Sequence, residues 1–366
     1  MHSMNNSHTY CVIMAGGIGS RFWPMSRTRR PKQFLDFLGT GRTLIQQTFD
    51  RFLPLCPPER IFVVTNADYA PLVHEQLPQL GPQQVLLEPD RRNTAPCIAY
   101  AYHVIRKRDP KALIIVAPSD HLVLDEAGFR ERMGIALEQA ACADCLVTLG
   151  IRPNRPDTGY GYIQYDEDDN GTAPGVKRVK TFTEKPDLAT AQRFLDSGDF
   201  LWNSGIFIWS AASIDNAFAA HLPEMRTLFA EGNDTYGTKD EAAFINKAYG
   251  LCQNLSIDYG VLEKAKNVFV LPSDFGWSDL GTWGSLYTHL PKDLNGNAGT
   301  GKKVFVHDGA DNMVHVQDDR LVVLQGLDDY IVVSTNDVLL VCRKQDEQKI
   351  KTIVAELTAG SGDKYI

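Results

Sequence analysis

Arg21, Arg27, Arg29, Arg30 and Lys32 crowd the segment 21–32 of a chain whose formal net charge is -8. No Asp or Glu precedes Asp36, so this stretch is purely cationic. It follows Gly16, Gly17 and Gly19 in "AGGIGSRFWPMSRTRRPKQF" (15–34), just behind the apolar run "YCVIMA" (10–15). Glycines at a strand end let successive backbone N–H groups close around an anion. Arg21 can fork two oxygens of a polyphosphate, and Lys32 can act as a point charge on a single phosphoryl group. Pro24 and Pro31 prevent a regular helix across the segment. The chemistry expected is therefore capture of a small phosphorylated ligand by a stiff, irregular loop. Two familiar phosphate loops do not fit. The dinucleotide fingerprint needs a third glycine where Phe22 stands, and the Walker A loop needs Gly-Lys followed by Ser or Thr. Arg27, Arg29 and Arg30 have the plainer reading of solvated turn residues.

Other chemistry-bearing residues are scattered. Asp120 follows the apolar run in "IIVAPSDHLV", and Asp279 lies between Trp277 and Trp283 in "DFGWSDLGTW". A lone Asp in a turn is ordinarily a turn residue, whereas two carboxylates sharing a site suit Mg²⁺ when phosphates complete its shell. In "EPDRRNTAPCIAYA" (88–101), Pro96 suits a first helical turn with Thr94 or Ala95 near the cap. Such a start is either an ordinary cap or one whose N–H groups face a ligand. "TGYGYI" (158–163), "FTEKP" (182–186) and "WNSGIFIW" (202–209) read locally as a turn entering a strand, a strand end and a strand start. No Ser/His/Asp or Cys/His constellation suggests a covalent intermediate.

The elements that must position these residues alternate. Strands are expected at 10–15, 61–65, 84–88, 112–117 and 145–150, most of them continuously apolar, as parallel strands covered on both faces are. Helices are expected at 44–52, 96–107 and 129–141. The fold class indicated is α/β, a doubly wound Rossmann-like domain with ligands beyond the carboxyl ends of its strands. From about residue 158 the pattern is more mixed, with a helix closed by Gly198 and a short helix in "SIDYGVLEKA" that Ser256 would cap. After Pro291 short strands follow at tight spacing, separated by Asp- and Gly-rich turns, and "QDEQKIKTIVAEL" reads as an amphipathic helix with Ile350, Ile353, Val354 and Leu357 on one side. The expected division is a catalytic domain at 1–292 and a β-rich module at 293–366, the latter compatible with a few coils of a short β-helix although no exact repeat is visible.

These motifs resemble the signature of the sugar-phosphate nucleotidyltransferases. The pattern G-G-x-G-[ST]-R followed by P-K-Q, in the version "RFWPMSRTRRPKQF", is most similar to the bacterial-type mannose-1-phosphate guanylyltransferases. The resemblance covers roughly residues 10 to 290, and the β-rich tail is similar to the module that follows the catalytic domain in that family. Longer relatives carry a further isomerase domain, for which the residues up to Ile366 leave no room, so no isomerase activity is expected. The resemblance implies a nucleotide site at Ala15, Gly16, Gly17, Gly19, Ser20, Arg21 and Lys32, joined by Glu88, Arg92, Asn93, Thr94, Ala95, Ser119 and Asp120. Glu88 or a backbone carbonyl would accept from guanine N1–H and N2–H. It implies that Asp120 and Asp279 hold Mg²⁺, and that Arg21, Lys32, Asp120 and Asp279 form the catalytic set. Gly159, Tyr160, Gly161, Glu184, Lys185, Asn203 and Gly205 would line the sugar-phosphate pocket. The implied partners are GTP and mannose 1-phosphate, which would give GDP-mannose and pyrophosphate. Another NTP and hexose 1-phosphate pair, or a silent regulatory subunit that binds nucleotide sugar, are the alternatives.

Composition narrows the remaining classes. A net charge of -8 disfavours broad nucleic-acid binding, which needs an extended basic face. Seven thinly spread cysteines point to a reduced, cytoplasmic setting. The close pair Cys142 and Cys145 lacks the second pair a zinc site would need. "MHSMNNSHTY" lacks the features of a signal peptide, and no apolar run reaches membrane-spanning length, so no membrane partner is expected. The β-rich tail has two readings, a homodimer contact or a cover for the catalytic domain, and the first is the one expected.

Overall fold

A computed structural model describes residues 6–301, 303–317, 319–360 and 362–366. They divide into two compact units. The first takes the N-terminal strand through Gly16 together with Thr48–Ser119 and Val123–Trp277. The second takes Gly17–Gln47, Asp120–Leu122 and Ser278–Ile366. Grouped by contact, the units do not run in chain order: Gly17–Gln47 goes with Ser278–Ile366. The glycine–arginine segment belongs with the β-rich module.

The first unit is built on a nine-stranded sheet. Strands β1 (Thr9–Met14), β2 (Ile61–Asn66), β3 (Val85–Glu88) and β4 (Leu113–Pro118) are parallel in the order β3-β2-β1-β4. Cys11 is in register with Ile61, and Thr9 with Leu113. All six residues of β2 are buried, which is why its sequence shows no polar alternation. After the two-residue strand β5 (Leu122–Val123) come β6 (Leu146–Ile151), β7 (Gly161–Asn170), β8 (Lys177–Glu184), β9 (Phe200–Ser210) and β10 (Val268–Ser273), then the two-residue β11 (Trp277–Ser278). The sheet continues β4-β9-β6-β10-β8-β7, and β9 lies antiparallel to both β4 and β6. The sheet is therefore mixed: β3-β2-β1-β4 form one parallel run, and β6 and β10 beyond β9 are again parallel to each other. A buried strand has the same local composition in either direction, so β9 was legible as a strand but not as a reversed one.

Helices cover both faces of the sheet. Val12, Phe62, Ile114 and Val116 form one cluster with Ile98, Tyr102 and Ile105 of α3 (Thr94–Arg108). The same cluster takes Phe218 of α6 (Ala211–His221) and Phe229 of α7 (Pro223–Ala230). Strand residues one position on, such as Ile13, Val63 and Ile115, point the other way, where α4 (Glu126–Cys142) packs on β4, β6, β9 and β10. Asp125 caps α4 by accepting from the N–H groups of Ala127 and Gly128. Gly198 ends α5 (Leu188–Ser197) at φ 76°, as expected. Helices α6, α7 and α8 (Glu241–Leu251) occupy a stretch read only as mixed, and α2 (Ala70–Gln76) lies between two expected strands where no helix was expected. "SIDYGVLEKA" forms a five-residue π turn, Asp258–Leu262, with Ser256 Oγ accepting from Tyr259 N at 3.3 Å.

In the second unit, β12 (Ala298–Thr300), β14 (Met313–Val316) and β16 (Tyr330–Ser334) stack in parallel, as do β13 (Val304–His307) and β15 (Val322–Gln325). β17 (Leu339–Arg343) closes the first stack antiparallel to β16. Two parallel ladders fed alternately by one chain form a β-helix. Ala298, Met313 and Ile331 stack in register in its core. A buried asparagine ladder braces the corner: Asn312 Nδ2 donates to Asn297 Oδ1 at 3.0 Å, and Asn312 Oδ1 accepts from Tyr330 N at 2.9 Å.

The loop's apolar residues explain its place in this unit. Phe22, Trp23, Leu35 and Phe37 share a core with Met313, Ile331 and Trp283 of α9 (Trp283–His289), and with Ile350 of α10 (Lys349–Ala359). The Phe22 ring lies 4.5 Å from Phe37 and 5.0 Å from Trp283, centre to centre. Each such ring contributes about 1.5–3 kcal/mol through burial, enough together to make the cationic loop rigid. Arg27 is not a solvated turn residue. It forms a forked ion pair with Asp337 of the β-helix, whose carboxyl Arg27 pulls down to about 2.

Candidate active site

The parallel order β3-β2-β1-β4 makes the ends of β1 and β4 a switch point, where doubly wound sheets bind ligands. Ala15 and Ser119 leave the sheet there. Both are buried, and their backbones are spent on structure: Ala15 N donates to Val64 O at 2.8 Å, and Ser119 N to Met14 O at 3.0 Å. Gly16 lies against Glu88, with its absent Cβ 3.4 Å from Oε2. Ala15 and Gly16 have no polar side chain to offer there, and Ser119 is buried.

In the second unit a cavity of about 270 Å³ is lined by Gly19, Ser20, Arg21, Phe22, Lys32, Asp120, His121, Asp279, Gly281 and Lys351. Thus all four residues expected to be catalytic line one cavity. Gly17 stands before it with open space over its α-carbon. Gly19 must be glycine, because its φ is 65° and a Cβ would sit 2.4 Å from that of Lys32. Ser26 Oγ, donating to Ile18 O, and Gln33 Nε2, donating to Gly17 O, both at 3.0 Å, tie the loop to itself.

Arg21 is exposed and makes no ion pair among the described residues. Lys32 is the reverse. Its side chain is 5% exposed, and its ammonium donates to Asp279 O at 2.7 Å and Leu280 O at 2.9 Å while pairing with Asp120 Oδ2 at 3.0 Å. Leu280 turns its carbonyl to that ammonium from φ 44°, an uncommon conformation for a branched residue. The expectation that Lys32 meets a phosphoryl group directly is thus modified: as arranged here, all three of its protons are already committed. It acts first on Asp120. Burial pushes that carboxyl up, but Lys32 and then His121 outweigh it, so the group is held below the usual carboxylate range. Asp279 Oδ1 accepts from Gly281 N at 3.0 Å, and a Cβ on Gly281 would press 2.7 Å from Oδ2.

The first unit gathers the expected sugar residues. Asn203 Nδ2 donates to Asp258 Oδ1 at 2.9 Å, while its Oδ1 accepts from Thr148 Oγ1 at 3.1 Å and Gly205 N at 3.2 Å. Lys185, at φ 48°, pairs with Glu184 Oε1, and Glu184 Oε2 is buried with no partner among the described residues. A Cβ on Gly161 would lie 2.4 Å from that orphaned oxygen. Gly159 N donates to Asp157 Oδ1 at 2.8 Å, which sets the turn before Tyr160. The Tyr160 ring packs edge-on to Trp202 and Trp277. Asp258 belongs to this cluster and was missed. Its enclosure, then Glu184, pushes its carboxyl up to about 7. The signal was an acid inside the apolar stretch "SIDYGVL", read only as helix.

Glu88 is buried, and Tyr249 donates to its Oε1 at 2.9 Å. Burial raises this carboxyl to about 7 against the pull of Tyr249 and Arg91. It is thus a partly protonated, internally bonded group rather than an open acceptor. The turn "RNTA" is also stitched inward. Arg92 O accepts from Leu255 N, Asn93 at φ 68° caps Thr94 N, Thr94 Oγ1 accepts from Ile257 N, and Ala95 N donates to Leu255 O. The helix begins at Thr94, two residues before the expected start, and those first amides are spent on the protein itself. His121 and Lys351 were not expected in the cavity that Arg21 and Lys32 line.

A mixed α/β sheet with a parallel run at β3-β2-β1-β4, in a chain that also carries a parallel β-helix, defines a nucleotidyltransferase fold. The chain belongs to the Nucleotidyl transferase family, whose model matches residues 10–296. The MannoseP isomerase/GMP-like beta-helix domain matches residues 301–357, in agreement with the parallel coils found there. Among relatives, the chain is 36% identical to the mannose-1-phosphate guanylyltransferase of Escherichia coli, over 97% of this chain and 75% of that protein. It is 37% identical to the xanthan biosynthesis protein XanB of Xanthomonas campestris, over 94% of this chain and 72% of that one. A solved structure from Thermus thermophilus, described as a mannose-1-phosphate geranyltransferase, superposes with a TM-score of 0.86 at 32% identity, covering 96% of this chain and 99% of the other. No helix among the described residues is long and apolar enough to cross a membrane.

Proposed function

We propose that this nucleotidyl transferase carries GMP from GTP to mannose 1-phosphate. A phosphate oxygen of the sugar phosphate attacks the α-phosphorus of GTP in line. The bond to the bridging oxygen breaks, and pyrophosphate leaves. The observation that carries the reading is the convergence of Arg21, Lys32, Asp120 and Asp279 on one cavity, supported by the names of the relatives.

Catalysis is positioning and charge neutralisation rather than covalent chemistry. Arg21, exposed and unpaired, takes the β- and γ-phosphates. Lys32 keeps Asp120 ionised and fixes the Asp279–Leu280 turn. Asp120 pairs with Lys32 through Oδ2 and faces His121 across 3.9 Å through Oδ1, and Asp279 Oδ1 accepts from Gly281 N; carboxylates held in place this way suit a divalent ion that draws its other ligands from phosphates and water. Bound between them, such an ion would offset the negative charge of the reacting phosphates. In the first unit Glu184, Asn203 and Asp258 suit sugar hydroxyls, and Lys185 the sugar phosphate. Asp258, raised to about 7, is protonated in part near neutrality and in that form can donate while Glu184 accepts, so the pair reads both senses of a hydroxyl.

Pyrophosphate release with Mg²⁺ across a panel of four NTPs and several hexose 1-phosphates tests the reading. GTP with mannose 1-phosphate is expected to give the highest kcat/KM. A higher value for another pair would reassign the substrates, and release from none would overturn the reading.

A further inference from the structure

The phosphate cavity has a cation that neither the motifs nor the mechanism above uses. Lys351 lies in the first turn of α10, the terminal helix of the β-helix module, and lines the cavity with Arg21 and Lys32. We propose that Lys351 binds the terminal phosphates of the nucleoside triphosphate, and hence the departing pyrophosphate. The β-helix module then contributes directly to the transferase site. This proposal rests on the functional reading above.

Three observations hold the residue in place. Glu347, one turn earlier, accepts from Gly284 N at 2.7 Å. Ile350 is fully buried in the core that contains Phe22 and Trp283. Trp23 Nε1 donates to Tyr365 O at 2.8 Å, tying the segment after α10 to the cationic loop. The helix is therefore pinned to Ser20–Phe22, and Lys351 cannot drift from Arg21 by more than its own side-chain reach.

Its charge is also uncommitted. Nearby lysines are satisfied within the module, Lys349 by Asp346 and Lys344 by Asp329, each at 2.8 Å. Lys351 is exposed and makes no ion pair among the described residues. Without it, the charges of Arg21 and Lys32 are cancelled by those of Asp120 and Asp279. With it, the protein lining carries one net positive charge toward a polyanion. Lys32 is buried and fully bonded, so the flexible, solvated Lys351 is the better mobile clamp on the phosphates farthest from the reacting centre.

The test uses Lys351→Ala and Lys351→Arg in the full chain, with inorganic pyrophosphate as probe. Calorimetric titration with Mg²⁺ present is expected to show pyrophosphate affinity falling about ten- to a hundredfold in Lys351→Ala, as loss of a charge-assisted contact does, with most of it restored in Lys351→Arg. The KM for GTP and for pyrophosphate in the reverse reaction should rise in step, while the KM for mannose 1-phosphate and the melting temperature stay at wild-type values. A role only in packing α10 would move the melting temperature instead. Unchanged pyrophosphate affinity in Lys351→Ala, equal loss for both substrates, or a wild-type chain that binds no pyrophosphate overturns the proposal. If pyrophosphate binding depends on Lys351 but GTP and mannose 1-phosphate give no turnover, the substrate assignment fails and Lys351 stands.

Discussion

Replacing Lys32 by methionine keeps most of the side chain's volume and removes its charge. The ammonium it deletes satisfies the carbonyls of Asp279 and Leu280 at 2.7 and 2.9 Å and pairs with Asp120 at 3.0 Å. Removing one partner of a buried ion pair costs about 3–5 kcal/mol, because the other charge stays behind unpaired. The Asp120 side chain is 28% exposed, so water recovers part of that loss. The two stranded carbonyls add about 1 kcal/mol each. A net destabilisation of about 3–5 kcal/mol follows, or a fall in melting temperature on the order of 10 °C. Asp120 also loses what holds its carboxyl down. Its ionised form stabilises the fold above the ordinary carboxylate range, and that contribution disappears as pH falls through the lowered value. In Lys32→Met this acid limb should move to higher pH. Calorimetric melting of Lys32→Met, Asp120→Asn and the double variant between pH 3 and 8 is the assay. The double variant should be less destabilised than the sum of the singles, since no charge is then left unpaired. Melting of Lys32→Met within about a degree of wild type, or strictly additive losses, would refute the reasoning.

Three further outcomes are expected. Arg21→Ala, at an exposed and unpaired position, should melt like wild type while pyrophosphate release falls at least about a hundredfold; near-normal turnover would remove Arg21 from the site. Asp258, raised to about 7 by its enclosure and by Glu184, favours its protonated form in the fold, so it should make stability decline as pH rises from the ordinary carboxylate range to about 7. Asp258→Asn should flatten that decline in a melting-temperature profile and, with it, any rise in KM for the sugar phosphate. Asn312→Ala unpairs Tyr330 N and the carbonyl of Leu327 in the β-helix, at an expected loss of about 2–4 kcal/mol read by chemical denaturation.

Legibility followed range along the chain. The parallel strands were plain because burial on both faces removes polar alternation, and α1 (Leu44–Phe52) falls where its apolar spacing put it. The reversal of β9 was hidden, since direction depends on partners rather than composition. The cationic loop stood out by its charge and its glycines, but its aromatic residues were not weighed. Phe22, Trp23, Phe34 and Phe37 cannot all remain in solvent, and they carry the segment into the second unit. The commitment of Lys32 could not be read locally, because its acceptors lie at residues 120, 279 and 280. Asp258 and Lys351 were missed for the same reason: each lies in a helical stretch whose apolar neighbours dominated the pattern. The repeat of the β-helix is visible in hindsight as Asn297 and Asn312, each before an inward apolar strand.

The account stands most directly on where the triphosphate lies. A crystal structure of the chain with a non-hydrolysable GTP analogue, Mg²⁺ and mannose 1-phosphate should place the β- and γ-phosphates against Arg21, with the metal on Asp120 and Asp279. Phosphates bound away from that cavity, with Arg21 still in solvent and both carboxylates without metal, would contradict it.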